Sequence, residues 1–80
     1  MKFAVKGEPY EVMVELIKKN EVSDDVKIME GIIWNKGAVD GFTHLVDSEF
    51  KTTPTEEEFA DYLNSNVVEI LEDLGLDSEN

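Results

Sequence analysis

The apolar positions of this chain fall into two styles. From Phe3 to Phe50 they come in short runs that alternate with polar residues, as in FAVKGEPYEVMVEL, VKIMEGIIW and AVDGFTHLVDSEF. From Phe59 to Leu74 they recur at helical spacing. A period of two predicts strands and a period of 3.6 predicts a helix. The opening segment is therefore expected to form a β-hairpin turning at Lys6-Gly7, with Phe3 opposite Tyr10 across the strands. A helix from Pro9 to Lys19, supported by the Glu15→Lys19 pair, is the alternative. Two considerations favour the hairpin: Glu8 is a poor N-cap residue, and Val12 and Val14 are β-branched.

Lys18 to Asp25 is polar and reads as a connection. Val26 to Trp34 reads as a strand placing Val26, Ile28, Ile32 and Trp34 on one face. Asn35-Lys36-Gly37 suits a hairpin turn with Gly at the left-handed position, and Ala38 to Phe50 supplies the returning strand. The C-terminal helix has strong punctuation. Thr53-Pro54 with Glu56 forms one capping box and Thr55 with Glu58 a second. Phe59, Ala60, Leu63, Val67, Ile70, Leu71 and Leu74 make a stripe about 120° wide. Gly75 fits the left-handed position just after the helix, with Leu76 folding back on the last turn. Asn64-Ser65-Asn66 is its weak point, where the helix could split in two. The fold class expected from this pattern is α+β: an antiparallel β-meander of three to four strands packed on a long C-terminal α-helix. A β-α-β-β-α order is the alternative. Residues 1–80 are expected to form one domain, with 76–80 as a frayed tail.

Charge changes this picture more than composition does. The 80 residues carry 19 Asp and Glu against seven Lys and no Arg, a net charge of −12. Residues 1–40 hold six Lys and eight acids, whereas residues 41–80 hold one Lys and eleven acids. Such a balance opposes direct binding to nucleic acid or to an anionic membrane, both of which need a positive face. Without Cys there is no disulfide or thiol chemistry. The start MKFAVKGEPYE lacks an apolar run of signal-peptide length, so the cytosol is expected, or a host cytosol if the gene is viral.

The acids are concentrated between Thr55 and Gly75, where there are seven carboxylates and no Lys. Opposite the apolar stripe lie Glu58, Asp61, Glu69 and Glu72, with Asp73 beside them. On one straight helix Glu58 and Glu72 stand about 21 Å apart, equal to about six phosphate steps along a DNA strand. Neighbouring like charges cost a few tenths of a kcal/mol, and Glu72 and Asp73 also oppose the helix dipole. The pattern resembles, in charge alone, that of small DNA-mimic inhibitors, and no sequence motif is shared with them. The bland alternative is a solvated face on a small acidic protein. Trp34, at the end of its strand, is expected at the core edge or, as the sharper reading, as a contact residue.

No other constellation carries chemistry. His44 is the only His and, with Asp47 and Ser48, lacks a nucleophile elbow or oxyanion loop. The spacing of Ca²⁺-binding loops is missing, and one His without Cys makes no zinc site. No enzyme, cofactor or metal is therefore expected. The expected function is an acidic protein-binding module. In its sharpest form it is an inhibitor occupying a basic, nucleic-acid-binding groove on a partner through Glu58, Asp61, Glu69, Glu72, Asp73 and Trp34. The alternative is an assembly component that forms a homodimer or a larger complex through an exposed strand edge at Gly31–Trp34.

Overall fold

The computed structural model describes residues 8–52 and 54–76. These residues form five helices: α1 (Pro9–Lys18), α2 (Asp24–Asn35), α3 (Val39–Glu49), α4 (Glu56–Ser65) and α5 (Val67–Asp73). No strand occurs among them. The α+β expectation, with its antiparallel meander, is thus overturned, and the fold is all-helical. The expected turn at Lys6-Gly7, the Phe3 pairing and the Thr53 cap lie outside the described residues.

Burial explains the error. The strand reading of Val26–Trp34 aligned Val26, Ile28, Ile32 and Trp34 on one face. The structure instead buries Val26, Met29 and Ile33 completely, while Ile28 and Trp34 are 61% and 64% exposed. The buried set recurs at i, i+3 and i+7, the period of a helix. Likewise α1 buries Pro9, Val12, Met13 and Leu16, and α3 buries Phe42 and Val46, four residues apart. β-Branched side chains lower helix propensity only slightly, and tertiary burial overrides it.

The helix ends supply local support. At α1, Pro9 occupies the first turn, where its missing N–H costs nothing, and the Glu8 backbone N–H donates to Glu11 (3.3 Å). Three helices close in the same manner. At α1 the N–H groups of Asn20 and Glu21 donate back to Ile17 and Leu16; at α2 those of Gly37 and Ala38 donate to Trp34 and Ile33; at α5 those of Gly75 and Leu76 donate to Glu72 and Leu71. This Schellman geometry needs a left-handed residue, filled by Asn20 (φ 64°), Gly37 (φ 67°) and Gly75 (φ 71°). The left-handed conformation expected at Gly37 is present, but it ends a helix and does not turn a hairpin.

Helix α2 is the hub, touching α1, α3, α4 and α5. The core runs through Met13, Leu16, Met29, Ile33, Phe42, Phe59, Leu63 and Ile70, all nearly inaccessible to solvent. Gly41 lets α3 approach α5: a Cβ there would stand 3.2 Å from a Leu74 methyl. Polar links tie the layers at the rim, with Lys19 pairing with Glu56 (3.2 Å) and the Ser23 N–H donating to Asn64 Oδ1 (2.8 Å). No helix among the described residues is long and apolar enough to cross a membrane.

Candidate interaction surface

The expected C-terminal helix is two helices. Its start follows the second capping box, in which the Glu58 N–H donates to Thr55 Oγ1 (3.1 Å) and the Thr55 N–H donates to Glu58 Oε1 (3.0 Å). Pro54 lies before the cap, not in the first turn. The apolar stripe is as expected at Phe59, Ala60, Leu63, Ile70 and Leu71, which are buried, and at Val67 and Leu74, which are partly buried. The break comes at Asn66 (φ −129°, ψ 23°). The Asn66 side chain donates to the Tyr62 carbonyl (2.9 Å), and its own carbonyl accepts from the Ile70 N–H (2.8 Å), opening α5. Such side-chain-to-backbone bonding is what makes Asn favour helix ends over interiors.

The break changes the site. Glu58 and Asp61 belong to α4, and Glu69, Glu72 and Asp73 to α5. All five are exposed. The straight 21 Å ladder of carboxylates is therefore not formed. Glu58 also has a structural task in the capping box, which accounts for its presence without any partner. The other four have no ion pair with any described residue; the bridges formed among the described residues join Lys18 to Glu15, Lys19 to Glu56 and Lys27 to Asp24.

Half-buried Tyr62 gathers part of this charge. Its ring packs edge-on against Phe50 (5.2 Å) and is stacked near Phe59 (6.3 Å). Its phenol is raised to about 12, first by burial and then by the negative fields of Glu49, Asp73 and Glu69. So α3 contributes Glu49, at its last turn, to the anionic neighbourhood of α5. Sequence reasoning missed Glu49, because no periodicity links the end of one helix to the face of another. Phe50 and Tyr62 thus pack together in a neighbourhood that carboxylates of α3 and α5 make negative. A carboxylate rim accepts bidentate hydrogen bonds from guanidinium groups, and an aromatic face suits a cation laid over it.

Trp34 lies elsewhere, at the C-terminal end of α2. It stacks on Tyr10 (5.9 Å between centroids), whose hydroxyl donates to Glu30. That hydroxyl is also held at about 12, first by burial and then by the Glu30 contact. Trp34 thus stands on α2 against Tyr10 of α1, whereas the five expected carboxylates stand on α4 and α5. The strand edge expected at Gly31–Trp34 is part of α2, and assembly through a sheet edge is withdrawn with the sheet.

A groove of about 670 Å³ opens along α1, lined by Tyr10, Glu11, Val14, Glu15, Lys19 and Glu56 among others. His44 is exposed on α3 and outside that lining. No group of three or more His, Cys, Asp or Glu among the described residues is arranged to hold a metal ion. Comparison of the chain with protein-family models, with curated proteins and with solved structures gave no significant match in any of the three.

Proposed function

We propose that the chain is an acidic protein-binding module. Its α4–α5 surface docks a basic partner, with Glu49, Glu69 and Asp73 around Tyr62 as the centre of the contact. The observation that carries this reading is the exposure of Asp61, Glu69, Glu72 and Asp73 on α4 and α5 without an ion pair to any described residue. Asp61 and Glu72 extend the same negative charge outward. The partner that fits is a protein with clustered Arg and Lys, and the sharpest form is a groove that otherwise holds nucleic acid. Association through such a surface is fast and weakens steeply with salt.

The test is retention of partners from lysate by the immobilised chain at low and at roughly 0.5 M salt, followed by a competition assay with nucleic acid on any purified partner. The expected result is a nucleic-acid-binding protein held at low salt, released at high salt, and displaced from its nucleic acid by the chain. Glu69→Gln with Glu72→Gln and Asp73→Asn should abolish that displacement. A partner that binds the triple variant equally well, or one insensitive to salt, overturns the proposal.

A further inference from the structure

The outer side of α2 carries a second surface, unlike the first. Gly31 is at its centre. At 100° per residue Lys27, Ile28, Trp34 and Asn35 all fall within about 60° of it. A Cβ at Gly31 would meet nothing within 4 Å, so no contact among the described residues calls for glycine there. A glycine inside a helix nevertheless costs stability against alanine. On either side of it, three residues away in each direction, stand Ile28 and Trp34. Both are more than 60% exposed, in a chain with only one other large hydrophobic residue so exposed among those described, Val68. Tyr10 holds the Trp34 ring from behind, so little side-chain freedom remains to be lost on binding.

We infer that α2 pairs with α2 of a second copy, antiparallel, across a two-fold axis at Gly31. The spacing is what a self-complementary contact requires, because each patch must match itself after rotation. On such an axis the residue n places before Gly31 faces the residue n places after it. Ile28 then meets Trp34 of the second copy, and Trp34 meets its Ile28. The two Gly31 backbones face each other, where the missing Cβ permits close helix approach. The charged side chains of α2 within about 60° of Gly31 are Asp24 and Lys27, and these are bridged to each other (3.7 Å), so the face sets no net charge against its copy. Global charge selects the same face. Residues 41–80 hold eleven acids and one Lys, whereas residues 1–40 are nearly balanced. Two copies therefore repel least when they meet through α2, which leaves both α4–α5 surfaces outward. This inference does not rest on the proposed partner.

Sedimentation equilibrium of the full chain, across a concentration series at low and roughly 0.5 M salt, is the test. The expected result is a monomer–dimer equilibrium that tightens with salt, as the general repulsion is screened, accompanied by a concentration-dependent change in Trp34 fluorescence. Ile28→Glu should weaken dimerisation at least about tenfold. Gly31→Ala should weaken it too, while raising the melting temperature of the dilute monomer, a combination that a merely structural glycine would not produce. A monomer at every concentration and both salts overturns the inference, as does a dimer indifferent to both Ile28→Glu and Gly31→Ala.

Discussion

Helix α2 and the α4–α5 pair bury their inner sides alike and use their outer sides in opposite ways. Both press an apolar stripe into the common core: Val26, Met29 and Ile33 from one, Phe59, Leu63 and Ile70 from the other. Outside, α2 shows Lys27, Ile28, Gly31 and Trp34, of mixed charge and with exposed apolar surface. The α4–α5 pair shows Asp61, Glu69, Glu72 and Asp73, with no described cation among them. The inner stripes are what the fold requires. Neither outer side is what stability alone would choose, since a mid-helix glycine and repelling carboxylates both cost free energy. Features that stability does not explain are where binding is best sought, and here there are two, of different chemistry.

The comparison is tested most severely at the core. Ile33→Ala, in the helix that touches all four others, should cost about 2–5 kcal/mol. For a small domain of marginal stability that is enough to unfold much of the population. Leu71→Ala, in the shorter α5, should fall at the lower end of that range, because its site is slightly open and collapses more readily. Urea midpoints of the two variants decide it; equal losses would remove α2 from its place as hub.

Smaller effects probe the edges of each region. Thr55→Ala removes the cap of α4 and should cost about 1 kcal/mol, read from the same midpoints. Gly31→Ala should stabilise the dilute monomer by about 0.5–1 kcal/mol, since the new methyl meets open space; a loss there would mean that α2 needs its glycine for folding. Glu72→Gln with Asp73→Asn should raise stability by a few tenths of a kcal/mol each, with the gain shrinking as salt is added. A salt-independent gain would point to packing in place of charge.

The last effect is read at high pH. Tyr10 and Tyr62 are both raised from 10.0 to about 12. Because the folded values exceed the unfolded one, the stability held by the neutral phenols is complete below pH 10. It is lost as pH rises through about 12. Tyrosinate absorbance should therefore lag behind that of a denatured control. Glu69→Gln with Asp73→Asn should lower the Tyr62 midpoint without returning it to 10, because burial is the larger cause. No movement at all would separate these carboxylates from Tyr62 and break the proposed centre of the acidic surface.

How much of this was legible in the chain differs between the same two regions. In α4–α5 the Thr55–Glu58 cap, the apolar stripe, the Gly75 ending and the weakness at Asn64–Asn66 could all be read, because each is a local device with a fixed spacing. In α2 and α3 the reading failed, and at α1 it preferred the hairpin to the Pro9–Lys19 helix, which the structure forms as Pro9–Lys18. Val12 and Val14, and Val26, Ile28 and Ile32, keep a period of two, while Val12 with Leu16, and Val26 with Met29 and Ile33, keep one of 3.6, and β-branching tipped the choice towards strands. Gly37 was read as left-handed, but that backbone state serves a hairpin and a helix ending equally. Asn20 gave no comparable signal and performs the same task at α1.

By itself, then, the sequence determined the charge imbalance, the cap and the apolar stripe of the C-terminal helices, and the left-handed conformations of Gly37 and Gly75. These depend on residues a few positions apart and on composition. Only the tertiary structure decided that residues 9–49 are helical, that Glu49 joins Glu69 and Asp73 at Tyr62, and that Ile28 and Trp34 face outward around Gly31. The physical reason is that a short apolar run can bury itself in more than one way. Which way holds is settled by the residues that several elements can bury together, and that set belongs to the whole core.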